Sequence, residues 1–297
     1  MKRPIYTILL TVLISCTVAP ANAQLTDLQT QITSISQSII ADIGVAVIDV
    51  QSNDTLSVNG NKHFPMQSVF KFHIALAALR QVDEGKLSLD QKYHVTKDHY
   101  FNTWSVLMRE HPEANVDVTL RELITWCVMN SDNVACDLLF EILGGPSHVD
   151  KFIKSLNVND IAITANERKM HTDWYEQFSN WTTPSATARL LRLFYDGKIL
   201  KDDSNKFLWK LMADTPNAPN RLKGLLPEGT VVARKPGTGA SSEDGVLGAA
   251  NDVGILVLPN GKKIIVAAFV TNTKEPLSTA EMAIAQISKA VYDYFKK

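Results

Sequence analysis

Ser68-Val69-Phe70-Lys71 opens a helix-forming run, and its two polar residues have the spacing needed for nucleophilic chemistry. Three residues apart on a helix, Ser68 and Lys71 share a face. A serine hydroxyl is a weak nucleophile until a neighbour takes its proton. A lysine can take it when burial or nearby positive charge lowers its pKa. A helix start also offers backbone N–H groups to a developing oxyanion. Taken alone, the group equally fits a capping serine beside a solvated lysine, because Ser-x-x-Lys recurs by chance.

Two further groups follow. Ser131-Asp132-Asn133 interrupts a helical stretch, as three residues of high turn propensity should. A serine there could pass a proton to a leaving group, and an asparagine could hold a substrate amide; a surface kink is the plain alternative. Lys235-Pro236-Gly237-Thr238-Gly239 reads as the end of a strand. Lys235 would offer positive charge to a carboxylate, and the glycines would let backbone approach a ligand closely.

In this order, Ser-x-x-Lys, Ser-Asp-Asn and Lys-x-Gly resemble the motif series of class A β-lactamases and penicillin-binding proteins. The resemblance covers nearly all of the chain after its first residues. It is strongest to the PER-type extended-spectrum branch, through Asn133 to Gly145, Ala165 to His171 and Arg221 to Pro227. It implies that Ser68 attacks a lactam carbonyl and that Lys71 carries protons beside it. Ser131 would protonate the leaving nitrogen and Asn133 would bind the substrate's side-chain amide. Glu167 would activate the water that frees the acyl group, and either Lys71 or Glu167 would take the first proton. The N–H groups of Ser68 and Thr238 would form the oxyanion hole. Lys235, Arg221 and the Thr238 hydroxyl would hold the substrate carboxylate, Trp104 would wall the mouth, and His171 would stand beside the water. Glu167 separates this reading from a DD-peptidase or penicillin-binding protein, which acylates with similar groups but releases its product very slowly.

The sequence departs from the family at two places. Pro236 replaces a hydroxyl residue and has neither a side-chain donor nor an N–H. A lost hydrogen bond to a charged partner costs about 1.5–3 kcal/mol, which implies weakened turnover; a shift of the strand would leave a weakly active, β-lactam-binding homologue. Ala165 and Asn180 replace the arginine and acid that pair across the middle loop in most of the family, so that loop must be held by aromatic packing and other hydrogen bonds.

These residues need a scaffold. Apolar residues at helical spacing predict helices over 25–41, 70–82, 119–143, 185–195, 204–212 and 278–295. Thr119 with Glu122 forms a capping-box pattern, and Gly144-Gly145-Pro146 is a stop. Strands are predicted over 43–50, 55–58, 230–234, 248–258 and 263–273. Residues 164–183 lack periodicity but are rich in aromatics, which marks a functional loop. The economical fold is α/β (α+β): one antiparallel five-stranded sheet built from both ends of the chain, flanked by terminal helices, with a helical domain inserted. The expected division is a signal peptide at 1–23, a sheet domain at 24–66 and 214–297, and a helical domain at 67–213, with the site in the cleft between them.

Lys2 and Arg3, a short apolar run and Ala21-Asn22-Ala23 read as an export signal cleaved after Ala23, giving a periplasmic protein. Leu13-Ile14-Ser15-Cys16 resembles a lipobox, in which case Cys16 would carry a membrane anchor. Net charge is -1 without a basic run, which excludes a nucleic-acid partner. The seven histidines are scattered and no phosphate-binding loop is present, so neither a metal nor a cofactor is expected. Cys127 and Cys136 read as buried thiols. The partners expected are small β-lactam substrates, and the expected state is a monomer.

Overall fold

A computed structural model describes residues 21–297, with side chains from residue 25 onward. The basic residues of the export reading and Cys16 of the lipobox lie outside the described residues. Among the described residues, no helix is long and apolar enough to cross a membrane.

The chain opens with helix α1 (Ala21–Gln37), strands β1 (Asp42–Asp49), β2 (Thr55–Val58) and β3 (Phe64–Pro65), and helix α2 (Phe70–Asp83). Strand β4 (Lys92–Val95), helix α3 (Val106–Glu110) and strand β5 (Val116–Thr119) lead to α4 (Leu120–Met129), α5 (Asn133–Ile142) and α6 (Pro146–Ser155). Next come β6 (Ile161–Ala162), α7 (Glu167–Met170), β7 (Trp181–Thr182), α8 (Pro184–Tyr195) and α9 (Asp202–Ala213). Strands β8 (Val232–Thr238), β9 (Ala250–Val257) and β10 (Lys263–Thr271) and helix α10 (Leu277–Phe295) complete it.

The expected five-stranded antiparallel sheet has the order β2-β1-β10-β9-β8. Its two faces follow the period-two rule for strand side chains. Val45, Val47, Val266, Ala268 and Val270 face the layer of α1 and α10, where they meet Leu28, Ile32, Ile284 and Val291. Ala46, Ile265, Ala267 and Phe269 face the other way, into the core shared with α2, α4, α5 and α8. Helix α2 is buried at every position from Phe70 to Leu79. A helix apolar on all sides belongs at a centre, and this one carries Lys71 into the interior.

Two sequence expectations are corrected and two are refined. Helix α1 ends at Gln37, not at residue 41; the chain turns at Ser38 and Ala41 to enter β1. Gly144-Gly145-Pro146 does stop α5, but Pro146 then starts α6 as its first residue, where a missing N–H is harmless. The middle loop contains the one-turn helix α7. Strand β8 runs to Thr238, so Lys235 stands inside a strand and not at its end.

Candidate active site

The first part of the site is the turn before α2. Gln67 has φ 48°, in the left-handed region, and places Ser68, half-buried, at the helix entry. Lys71 follows one turn on, fully buried. Its Nζ donates to Ser68 Oγ at 3.0 Å, to the Ser131 carbonyl at 2.9 Å and to Asn133 Oδ1. It also lies 2.8 Å from Glu167 Oε1. Four acceptors therefore compete for three N–H groups. Burial is the largest single influence and lowers the Lys71 pKa, but the charges of Glu167, Cys136 and Cys127 and the Glu167 hydrogen bond together outweigh it and leave Lys71 above its ordinary value.

The second part is the break between α4 and α5. Ser131 sits at φ 59°, and Asp132 caps α5 by accepting from Ala135 N at 2.9 Å. Asp132 also takes Ser105 Oγ and Leu107 N, at 2.9 and 2.8 Å, so this buried carboxylate ties α3 to the break. The hairpin made by the break carries Cys127 and Cys136, both free and buried as expected. The Asn133 amide is already engaged, accepting from Lys71 and donating to Thr103 Oγ1 at 2.6 Å.

The third part is β8. Lys235, fully buried, donates to Ser131 Oγ at 2.9 Å. Burial, then the charge of Lys71, lowers its pKa to about 7. Pro236 does not shift the strand. Pairing with β9 continues as Lys235↔Val253, Pro236↔Asp252, Gly237↔Asn251 and Thr238↔Ala250. A proline fits here because β8 is the edge of the sheet. Gly237 is demanded by proximity: a Cβ there would lie 2.6 Å from the Met66 carbonyl and 3.2 Å from Ser68 N.

Arg221 Nη2 donates to Thr238 Oγ1 at 2.7 Å, and Nη1 donates to the carbonyls of Gly237 and Asn251 at 2.8 and 2.9 Å. Its Nε lies 3.2 Å from Glu281 on α10, a partner the motifs gave no sign of. Trp104 is half-exposed at the rim and donates from Nε1 to the Asn130 carbonyl at 3.0 Å. Ser68, Trp104, Ser131, Asn133, Pro236 and Thr238 line one cleft of about 390 Å³, together with Asn130, Asn217, Ala218 and Gly237. Lys71, Lys235 and Arg221 lie behind that lining, bonded to Ser68, Ser131 and Thr238, and Glu167 lies behind Lys71; His171 is not in the lining either. Its Nδ1 donates to the Glu167 carbonyl at 2.7 Å, and its ring meets Phe101 edge-on.

Sequence reasoning missed what holds Glu167. Asp137 Oδ1 accepts the Glu167 N–H at 2.7 Å, and Oδ2 accepts that of Arg168 at 2.9 Å. In place of the family's arginine–acid pair, the buried Asn180 amide accepts from Thr164 N and Ala165 N, at 2.8 and 3.0 Å, and donates to the Ala165 carbonyl at 2.8 Å. The NER sequence gives α7 its cap at Asn166; Asp137, thirty residues earlier, has no local signature.

The Beta-lactamase enzyme family matches residues 27–295. The chain is 41% identical over 282 residues to β-lactamase VEB-1 of Pseudomonas aeruginosa, covering 94% of each chain. It is 42% identical over 274 residues to the extended-spectrum β-lactamase PER-1 of the same organism, covering 92% of this chain and 89% of that one. A crystal structure of a representative class A β-lactamase from Bacteroides cellulosilyticus superposes with TM-score 0.88 at 34% identity, covering 92% of this chain and 98% of the other. With Ser68 and Ser131 lining one cleft and Lys71, Glu167 and Lys235 linked to them from behind, the chain belongs to the β-lactamase enzyme family, in class A.

Proposed function

We propose the following course for hydrolysis of the lactam amide of penicillins and cephalosporins, the reaction by which this enzyme gives antibiotic resistance. Ser68 Oγ attacks the lactam carbonyl while Lys71 takes its proton and passes its own to Glu167. The observation that carries this reading is Lys71 Nζ bridging Ser68 Oγ at 3.0 Å and Glu167 Oε1 at 2.8 Å. Because the Lys71 pKa is raised, the resting lysine is an ammonium, which supports Glu167 as the final acceptor. The backbone N–H groups of Ser68 and Thr238 stabilise the oxyanion. Ser131, held by Lys235, hands a proton to the leaving nitrogen and regains one from Lys71, which recovers its own from Glu167, so that Glu167 is again a carboxylate. Glu167 then activates water to release Ser68, and this step separates turnover from trapping.

Lys235, Arg221 and the Thr238 hydroxyl receive the substrate carboxylate. Asn133 and Trp104 meet the acyl side chain, and His171 acts from behind through the Glu167 backbone. The relatedness to PER-1 supports activity on bulky cephalosporins. The cleft lies between the proposed sheet domain (24–66 and 214–297) and helical domain (67–213). We further propose an exported, periplasmic monomer, or a lipid-anchored one if Cys16 is modified.

The test mixes purified enzyme, Ser68→Ala and Glu167→Ala with a chromogenic cephalosporin and records turnover and the mass of the protein. Turnover that needs both residues, with an acyl adduct building up only on Glu167→Ala, is the expected result. A single turnover by the unaltered enzyme would mark it as a penicillin-binding protein.

A further inference from the structure

A second buried ion pair lies on the face of β8 opposite Lys235. Arg234 Nη1 meets Asp252 Oδ2 at 2.8 Å, and neither side chain is more than 1% exposed. Arg234 Nε and Asp252 Oδ1 have no hydrogen-bond partner. A buried pair with unmet polar atoms adds little stability, and apolar residues of similar volume often do as well or better. What the pair does have is two bonds to one segment. Asp252 Oδ2 also accepts the Leu222 N–H at 3.1 Å, and Arg234 Nη2 donates to the Asn217 carbonyl. That segment is anchored at its other end by the Met129 carbonyl, which accepts from Thr215 Oγ1 and Asn217 Nδ2, each at 2.9 Å. Between the two clamps run residues 217–222. Asn217 and Ala218 form part of the cleft wall, Ala218 is held at φ 47°, and Arg221 reaches from the segment to Thr238.

We propose that Arg234 and Asp252 are positioning residues: their ion pair clamps the segment 217–222 and so presents Arg221, and through it the Thr238 hydroxyl, in the geometry that receives the substrate carboxylate, while the Thr238 backbone is held separately by β9. This rests on the carboxylate-binding role proposed above for Arg221, Lys235 and Thr238. Neither Arg234 nor Asp252 lines the cleft; they act through backbone groups. Misplacing a binding group by about 1 Å can cost around a hundredfold in rate.

The test uses a chromogenic cephalosporin as the free acid and as its methyl ester, with kcat/KM and Tm measured for each variant. The double variant Arg234→Met/Asp252→Leu should still fold, with a modest fall in Tm because the Leu222 N–H and the Asn217 carbonyl lose their side-chain partners. Its kcat/KM should fall about ten- to a hundredfold on the acid and stay within about threefold on the ester. Arg234→Lys keeps the charge but loses the fork that reaches two acceptors at once, and should show a smaller loss, again confined to the acid. Equal losses on acid and ester, or no loss on either, in both variants overturn the proposal; Arg234→Lys decides alone if the double variant does not fold. Arg221→Ala is the reference. If it too fails to distinguish acid from ester, the carboxylate reading itself falls, and the clamp with it. If it distinguishes them and the Arg234 variants do not, the clamp alone falls.

Discussion

Asp137 accepts the backbone N–H of Glu167 at 2.7 Å and so sets where the proposed deacylating carboxylate stands. Its second oxygen holds Arg168 N. An asparagine would keep one acceptor and turn an N–H₂ toward the other backbone donor. Asp137→Asn is therefore expected to lower kcat about tenfold, with acyl-enzyme accumulating in the mass spectrum while the acylation burst is retained. Burial raises the Asp137 pKa to about 6, against the pull of the two backbone donors. Deacylation should thus slow as pH falls through about 6, and this limb should vanish in the variant.

Lys235 predicts the opposite limb. Its pKa of about 7 means that the free enzyme loses this positive charge as pH rises through neutrality. The kcat/KM should then fall on the alkaline side of about pH 7, while kcat, measured with the substrate carboxylate in place, should stay flatter. Lys235→Arg, which stays charged, should remove the alkaline fall whatever it does to the absolute rate. A pH profile of both forms decides this.

Pro236→Thr restores a hydroxyl at a position that lines the cleft and that already keeps its strand register. The variant should raise kcat/KM about tenfold on substrates with a free carboxylate. Identical kinetics in both forms would show that Arg221, Lys235 and Thr238 suffice.

His73 sits fully buried on α2, and its Nε2 has no hydrogen-bond partner. Burial lowers its pKa from 6.5 to about 4. The unfolded chain therefore binds more protons between those values, and stability should fall as pH drops from about 6.5 to 4, by up to roughly 3 kcal/mol from this group. Urea unfolding across that range should show the loss, and His73→Leu should flatten it.

What could be read from the sequence was what local patterning encodes. The Thr119–Glu122 box was legible because both partners lie within one turn, and the structure has both of its bonds. The helix break at Ser131 and the turn after Leu258 were legible for the same reason. The two-residue strands β3, β6 and β7 have no period to detect. The pairing of β4 with β5 joins segments about twenty residues apart. Within the site, Ser68, Lys71, Ser131 and Lys235 were found through motifs. Asp137, Glu281 and the Asn180 bonds were not, because each is defined by a partner brought near only by folding. The continuation of β8 from Lys235 to Thr238 is not legible locally, because a proline fits a strand only at an edge, and only the sheet order shows that this strand is one.

Gln67, Ser131 and Ala218 hold left-handed backbone at φ 48°, 59° and 47°, and all three border the cleft or its nucleophile. For residues other than glycine each such conformation costs about 1 kcal/mol or more. Heat tolerance and chemical competence therefore pull this molecule in opposite directions at the same three positions. Glycine at any of them would relax the fold's own tension yet loosen the wall, the proton donor or the approach to Ser68. A lineage adapting to new β-lactams by reshaping this rim would be expected to drift toward heat sensitivity, and to recover its durability through changes elsewhere, in the layers behind the sheet.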